Sequence, residues 1–468
     1  MIKNVIDEIG SIIIEFFKKE EAWIMLVFLS VGSIVFISIP EVSLGNIWSR
    51  VVYFLGLTWS VWLFLVLFPF MRDVWLHWRQ ERFEHSLKFV LLELQLPREI
   101  QKNPQAMEQI LSSMHSFRNA PSNFREKYIE GEVTIPFTLE IVSFGGEIHF
   151  YVRCEEKQRN LVEAAVFSYY QDVEVFEVED YVEKLPKNVE EMYRADKNMW
   201  GTEMVLSKEA AYPIKTYTNF ESEAEDRQFD PISSFLEVLG KLNKGEIVSI
   251  QFIIAPAGND WGKEWEGFVE RLQEPKTTDV AIEEGGTRKV PISRSPGEYD
   301  ILEAVEKNLS KPAFDTVIRF IYIAPNETYH DSFARRGIVG AFNQYAALNL
   351  NSLRQNSKVS TRTQIWNWPH LFPKFRNEFK KERLLYEFRE RKVPPETWIG
   401  KFITSKFFNL NFASQRFKMN VEGLATLYHM PTAVVLTAPH IRRSESKKGG
   451  PPSGLTIFGE EEEIKKFY

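Results

Sequence analysis

The pattern of apolar and polar positions divides the chain into an apolar beginning and a mixed remainder. Ala22–Ile39 and Val51–Phe70 are free of charged residues over 18 and 20 positions. A bilayer core about 30 Å thick needs about 20 apolar helical residues, and a helix satisfies its own backbone hydrogen bonds where water is absent. The two runs therefore predict a transmembrane helical hairpin. Trp23, Trp48, Tyr53 and Trp75 stand near its ends, where amphipathic rings favour the headgroup region. Lys3, Lys18 and Lys19 precede the first run, and Arg72, Arg79, Arg82 and Lys88 follow the second. That distribution predicts both termini in the cytoplasm, hence a multi-pass protein of the inner membrane. Ile2, Val5, Ile6, Ile9, Ile13 and Phe17 recur at helical spacing and predict an amphipathic helix on the membrane surface. Asp7, Glu8, Glu20 and Glu21 precede the first run and no small-residue cleavage site follows it, which argues against a secretory leader.

Beyond Arg72 the periodicity is that of an α+β protein. KFVLLELQLP (88–97) suits a buried strand, and Asn103-Pro104 opens a helix with Met107, Ile110, Leu111 and Met114 on one face. EVTIPFTLEIV and EIHFYVRC flank Ser143-Phe144-Gly145-Gly146 and read as a hairpin. A helix with Leu161, Val162, Ala165 and Val166 facing inward, then DVEVFEVEDYV, complete the order βαββαβ of a ferredoxin-like module over 86–185. A second, looser copy is expected over 200–365, with a first strand at Tyr212–Tyr217. Asp230-Pro231 caps its helix, and GEIVSIQFIIAP and FDTVIRFIYIAP form its central strands. Residues 258–312 form an insertion within it. A basic segment and a linker-like tail, RRSESKKGGPPSG, fill 366–468.

Charge changes this picture only when it is localised. The whole chain carries 57 Lys+Arg and 64 Asp+Glu, a net −7. Residues 374–448 alone hold 16 Lys+Arg against 7 Glu, so a +9 segment is joined to a remainder of −16. Aromatics make up 14% of the chain, and half of the 12 Trp fall between positions 23 and 78. The basic helix KFRNEFKKERLLYEFRERK offers Lys374, Arg376, Lys380 and Lys381 to phosphates, together with Arg442, Arg443, Lys447 and Lys448 further on. Glu378, Glu382, Glu387 and Glu390 interleave with these cations, so a solvated mixed-charge face is the competing expectation.

No reaction chemistry emerges. GNDWGKEW, the nearest string to a phosphate-binding P-loop, lacks both the loop spacing and the Mg²⁺-binding Ser or Thr. One cysteine, Cys154, excludes an internal disulfide and reads as a small buried hydrophobe. His77, Glu81 and His85 lack zinc-ligand spacing. Glu174, Glu177, Glu179 and Asp180 suit a solvated strand face better than a pair of catalytic carboxylates. No catalytic residue, cofactor or metal is therefore expected.

Three strings carry a resemblance: DPISSFLEVLGKLNKGE (230–246), FARRGIVGAFNQYAALNLNSL (333–353) and LATLYH (424–429) with Pro431. Lys447-Lys448-Gly449 and Pro451-Pro452 follow. This pattern resembles the N-terminal region of bacterial conjugation and type IV secretion ATPases, where a similar stretch leads into an FtsK/HerA-like motor. The motor's nucleotide-binding residues are not matched. The resemblance implies a non-enzymatic, membrane-anchored adaptor of a DNA or protein transfer apparatus. Its partners would be the lipid bilayer and a separately encoded FtsK/HerA-like ATPase, and it is compatible with a homo-oligomeric ring. The alternative is a tethered nucleic-acid-binding protein that uses the basic C-terminal third.

Overall fold

The computed structural model describes residues 47–96, 103–220, 230–274, 277–281, 287–291, 294–364, 370–405, 408–410 and 412–431. A long helix α1 (Ile47–Ser86) leads into β1 (Phe89–Gln95), α2 (Pro104–His115), β2 (Phe137–Phe144), β3 (Glu147–Glu155), α3 (Arg159–Tyr169) and β4 (Glu174–Val178). Then come α4 (Val189–Arg194), β5 (Lys197–Leu206), α5 (Ser233–Leu239) and β6 (Ile247–Pro256). The insertion supplies α6 (Glu266–Gln273), a hairpin of β7 (Thr277–Ala281) and β8 (Thr287–Pro291), and α7 (Pro296–Leu309). The chain returns through β9 (Ala313–Pro325), α8 (Val339–Asn343) and β10 (Leu353–Gln355). It ends its described course in α9 (Pro373–Arg389), α10 (Trp398–Ile403), β11 (Phe417–Asn420) and α11 (Val421–Leu427).

The first unit has the strand order β2-β3-β1-β4 and the second β6-β9-β5-β10, so each is a βαββαβ unit of the same order. Antiparallel pairing of β2 with β6, from Phe137↔Ile254 to Phe144↔Ile247, fuses them into one sheet, and β11 adds to β9. Period-2 alternation gives the sheet two different faces. Leu92, Ile141, Phe150, Phe252, Phe320 and Trp200 point to one face, beneath α2, α3, α5, α8 and α11, where the main core lies. Leu91, Val142, Met199 and Ile321 point to the other, against Leu384, Leu385 and Phe388 of α9.

Local chemistry sets several boundaries. Asn103 caps α2 by accepting from Gln105 N, with Pro104 in the first turn, where its missing N–H costs nothing. Ser295 and Glu298 form a capping box at α7. At the other end of α9, Lys392 N donates to Glu387 O and Arg391 N to Phe388 O, the paired bonds of a Schellman ending. The left-handed position there is held by Arg391 (φ 50°) rather than glycine.

Three expectations are corrected. Among the described residues no helix is long and apolar enough to cross a membrane, which overturns the hairpin, the multi-pass topology and the inner-membrane location inferred from it. The second apolar run does not end as a span at Phe70. It continues as α1 through Arg72, Asp73, Arg79 and Arg82, and the later turns are tied to the α+β body. Asp73 Oδ2 accepts from Ile399 N (2.6 Å), and Trp75 Nε1 donates to Tyr128 O (2.7 Å). The first run and the amphipathic N-terminal pattern lie outside the described residues. The first strand of the second unit is Lys197–Leu206, not Tyr212–Tyr217, which forms a turn and the start of a short 3₁₀ segment. Finally, the basic helix α9 is not a solvated surface helix, as its contacts show below.

Candidate functional site

The face of the sheet beneath α9 carries a polar row. Glu93, Tyr151, Glu140, Gln251, Arg319 and Glu203 are successive register partners across β1, β3, β2, β6, β9 and β5. All six are buried, Glu140, Gln251, Arg319 and Glu203 completely. Charges so far from water persist only when paired and hydrogen-bonded. Arg319 donates to Glu203 Oε1 from Nε (3.1 Å) and Nη2 (2.9 Å), and to Glu387 Oε2 of α9 (3.0 Å). Its Nη1 reaches the carbonyls of Glu387 (2.9 Å) and Lys392 (3.1 Å). Burial pushes the Glu203 carboxyl upward, against the pull of Arg319.

A second ion cluster mirrors this one in the first unit. Arg391 Nε donates to Glu140 Oε1 (2.6 Å), and its Nη1 and Nη2 hold Asp180 at 2.6 and 2.9 Å. Tyr181 OH bonds Glu140 and meets Ser249 Oγ at 2.7 Å. Burial alone would raise Asp180, but the Arg391 guanidinium wins and holds it below the usual range. Arg153, beside the cluster, is lowered to about 10, mainly by burial and then by the Arg391 charge. Asp180, read from sequence as part of a solvated strand face, is thus a structural ion-pair partner.

The expected phosphate contacts are distributed unevenly. Lys374 is exposed on the first turn of α9. Arg376, Lys380 and Lys381 are buried at 3%, 2% and 6% exposure. Lys380 Nζ donates to the carbonyls of Ser357 (3.2 Å) and Ser360 (3.4 Å), and burial lowers it to about 8. Lys381 Nζ donates to Tyr193 OH (2.7 Å) and Asn198 Oδ1 (2.8 Å). Arg389 likewise donates to the carbonyls of Val182 and Leu185. Lys380, Lys381 and Arg389 thus fasten α9 to neighbouring loops, α4 and the start of β5 rather than facing outward. Arg442, Arg443, Lys447 and Lys448 lie outside the described residues. Cys154 is fully buried, with its thiol pushed up to about 12, and His77 Nδ1 meets Thr397 Oγ1 at 3.1 Å. Among the described residues no cluster of His, Cys, Asp and Glu could hold a metal ion.

The three resembling strings converge on one buried spot. Every residue of α11 is buried, and His429, just beyond it, places Nε2 2.8 Å from Asp230 Oδ1 and Nδ1 2.8 Å from Ala425 O. Asp230 Oδ1 also caps Ile232 N (3.0 Å), while Tyr345 OH and Gln344 Nε2 both donate to Pro231 O (2.9 and 2.7 Å). The motif residues therefore lock α5, α8 and α11 together.

The aromatics that the sequence assigns to a membrane span stand exposed on α1. Trp59, Phe64, Phe68, Phe70, Met71, Trp75 and Trp78 on α1 are each more than 40% exposed. Phe64 stacks on Phe68 (5.3 Å between centroids), and Phe70 meets Trp398 of α10 edge-on (6.3 Å). Trp398 stacks on Phe402 (5.4 Å), which contacts Phe408 (4.8 Å). Two exposed aromatic groups thus stand on different sides of α1, and exposed rings clustered with those of a neighbouring helix mark interaction sites, because leaving them in water forfeits about 25 cal/mol per Å². The apolar length of this stretch predicts a membrane span, and the exposed aromatic faces of α1 stand in its place.

A family model described as a domain of unknown function, DUF8128, matches residues 79–442. No curated protein matches the chain.

Proposed function

The chain belongs to the DUF8128 domain family, and we propose that it is a non-enzymatic docking subunit of a DNA or protein transfer apparatus. Its partner would be a separately encoded FtsK/HerA-like ATPase. The observation that carries this reading is the aromatic strip running from α1 across Phe70 and Trp398 to Phe408. Aromatic side chains concentrate in the cores of protein interfaces, where they supply large apolar contact at little entropic cost. The resemblance of residues 230–246, 333–353 and 424–431 to the region preceding such motors supplies the partner's class. The buried charges support a scaffold role as well: Arg319, Arg391, Glu140 and Glu203 are committed to closed internal pairs rather than aimed at a substrate.

Direct nucleic-acid binding through α9 is the weaker reading, because Arg376, Lys380 and Lys381 are buried against the body. The test is affinity purification of the tagged chain from its native cells. Co-purification of the ATPase, lost when Phe70 and Phe408 become Ser, supports docking. Recovery of the chain with no ATPase, or with equal amounts from the variant, refutes it.

A further inference from the structure

Where α9 meets the start of β5, four side chains bring together the parts of a covalent cross-link. Lys381 and Glu378 stand one turn apart on α9, Asn198 is the second residue of β5, and Tyr193 comes from α4. Lys381 Nζ lies 2.8 Å from Asn198 Oδ1 and 3.5 Å from Glu378 Oε1. The amide carbon is one carbonyl bond beyond that oxygen, so the lysine nitrogen stands within ~4 Å of it, close to the ~3–3.5 Å of a near-attack contact. Met199 N donates to the same oxygen (2.9 Å). That bond fixes which end of the amide faces Lys381, and it polarises the carbonyl as an oxyanion-hole donor does. Tyr193 OH accepts from Lys381 (2.7 Å) and donates to Glu378 Oε2 (2.5 Å), which orients the carboxylate beside the amine. Lys381 is 6% exposed, and burial holds it below the ordinary lysine range despite Glu378, which favours the neutral, nucleophilic amine.

We propose that Lys381 and Asn198 join in an intramolecular isopeptide bond, with Glu378 as the proton carrier. The Glu378 carboxylate takes a proton from the Lys381 ammonium, and the freed lone pair of Nζ attacks Asn198 Cγ. The carbonyl electrons move onto Oδ1, where the Met199 N–H holds the developing charge. A second amine proton passes through the carboxylate to Nδ2, and the Cγ–Nδ2 bond breaks as the carbonyl re-forms. Ammonia leaves through the cleft that Asn198, Glu378 and Lys381 line, carrying the remaining proton away as ammonium. Nothing is oxidised or reduced, and no further reactant is consumed. The product ties residues 183 positions apart and fastens α9 permanently to β5. A cross-link that closes so long a loop stabilises chiefly by restricting the unfolded chain. This chemistry is independent of the docking surface.

Mass spectrometry of the purified full chain under denaturing conditions tests this. The wild-type mass should fall short of the sequence mass by one ammonia, and a tryptic digest should contain a branched peptide joining the segments around positions 198 and 381. Lys381→Arg and Asn198→Ala should each have the full mass their sequences require. So should Glu378→Gln, a change at a side chain 45% exposed that leaves the fold intact. A wild-type mass equal to that of the sequence would overturn the proposal, whether or not any variant folds. An ammonia loss that persists in Lys381→Arg would also overturn it, because it would report Asn198 closing on its own backbone. Cross-linking of Glu378→Gln as complete as that of the wild type would do the same.

Discussion

Replacing Arg391 separates two effects that meet at one residue. Its guanidinium is the cation for Glu140 and Asp180, while its backbone occupies the left-handed position that ends α9. Arg391→Met removes the charge and keeps the strained backbone. The fully buried Glu140 then retains Tyr181 but loses its counter-ion, and breaking a buried pair on one side typically costs about 3–5 kcal/mol. Arg391→Gly removes the same charge but places the favoured residue at a φ of 50°. It should recover about 1 kcal/mol of that loss, the usual cost of a non-glycine residue in this region.

Adding Glu140→Gln to either variant removes the orphaned charge and should restore most of the remainder. Urea unfolding at pH 7, with unchanged slope in denaturant, measures all four differences. The pH dependence has a fixed sign. Asp180 is depressed in the folded wild type, so its contribution is present above the unfolded carboxyl range near pH 4 and is lost as pH falls through the lower folded value. Both Arg391 variants should lack that acid-side slope. A loss below about 1 kcal/mol for Arg391→Met would refute the reasoning, because it would mean the buried carboxylate never depended on this cation. Greater stability of Met than of Gly would refute the backbone part.

Arg319→Met should cost a similar ~3–5 kcal/mol, partly recovered by Glu203→Gln, as read in the same unfolding assay. Lys380 is lowered to about 8, so the unfolded chain binds the extra proton between about pH 8 and 10.5, and stability should rise with pH across that window. Lys380→Met should flatten that rise, as thermal unfolding at pH 7.5 and 9.5 would reveal. Gly131→Ala meets a φ of 75° and a new Cβ only 2.5 Å from the Arg79 carbonyl, so it should destabilise by about 2 kcal/mol or more and make α1 susceptible to limited proteolysis. Reversing Lys380 and Lys381 to Glu should unfold the protein, while Lys374→Glu should leave its circular dichroism and melting unchanged.

How far the sequence revealed this architecture depended on which residues decide each element. The hairpin of β2 and β3, the central strands β6 and β9, and the Pro-initiated helix α2 are legible because local alternation or capping specifies them, and α9 is legible as an unbroken basic helix. Strand β5 is not legible. KNMWGTEMVL carries Thr202 and Glu203 at fully buried positions, so its alternation is masked by polar residues whose partners lie on β9, the segment beyond β10 and the segment before β11. The pairing of β2 with β6 is a long-range register and leaves no local mark. Charge misled in α9, where Lys380, Lys381 and Arg391 look like solvated cations until their acceptors are brought in from distant segments. Apolar length misled in α1, whose aromatic run continues into a charged stretch bonded to the body through Asp73 and Trp75.

Quantitative affinity purification from native cells tests most directly whether the aromatic group of Phe70, Trp398, Phe402 and Phe408 docks a motor. The prediction is that the FtsK/HerA-like ATPase co-purifies with the wild-type chain and falls at least tenfold, a loss of about 1.4 kcal/mol, when Phe70 and Phe408 are changed to Ser. Undiminished ATPase recovery with that variant, with folding unchanged, would contradict it.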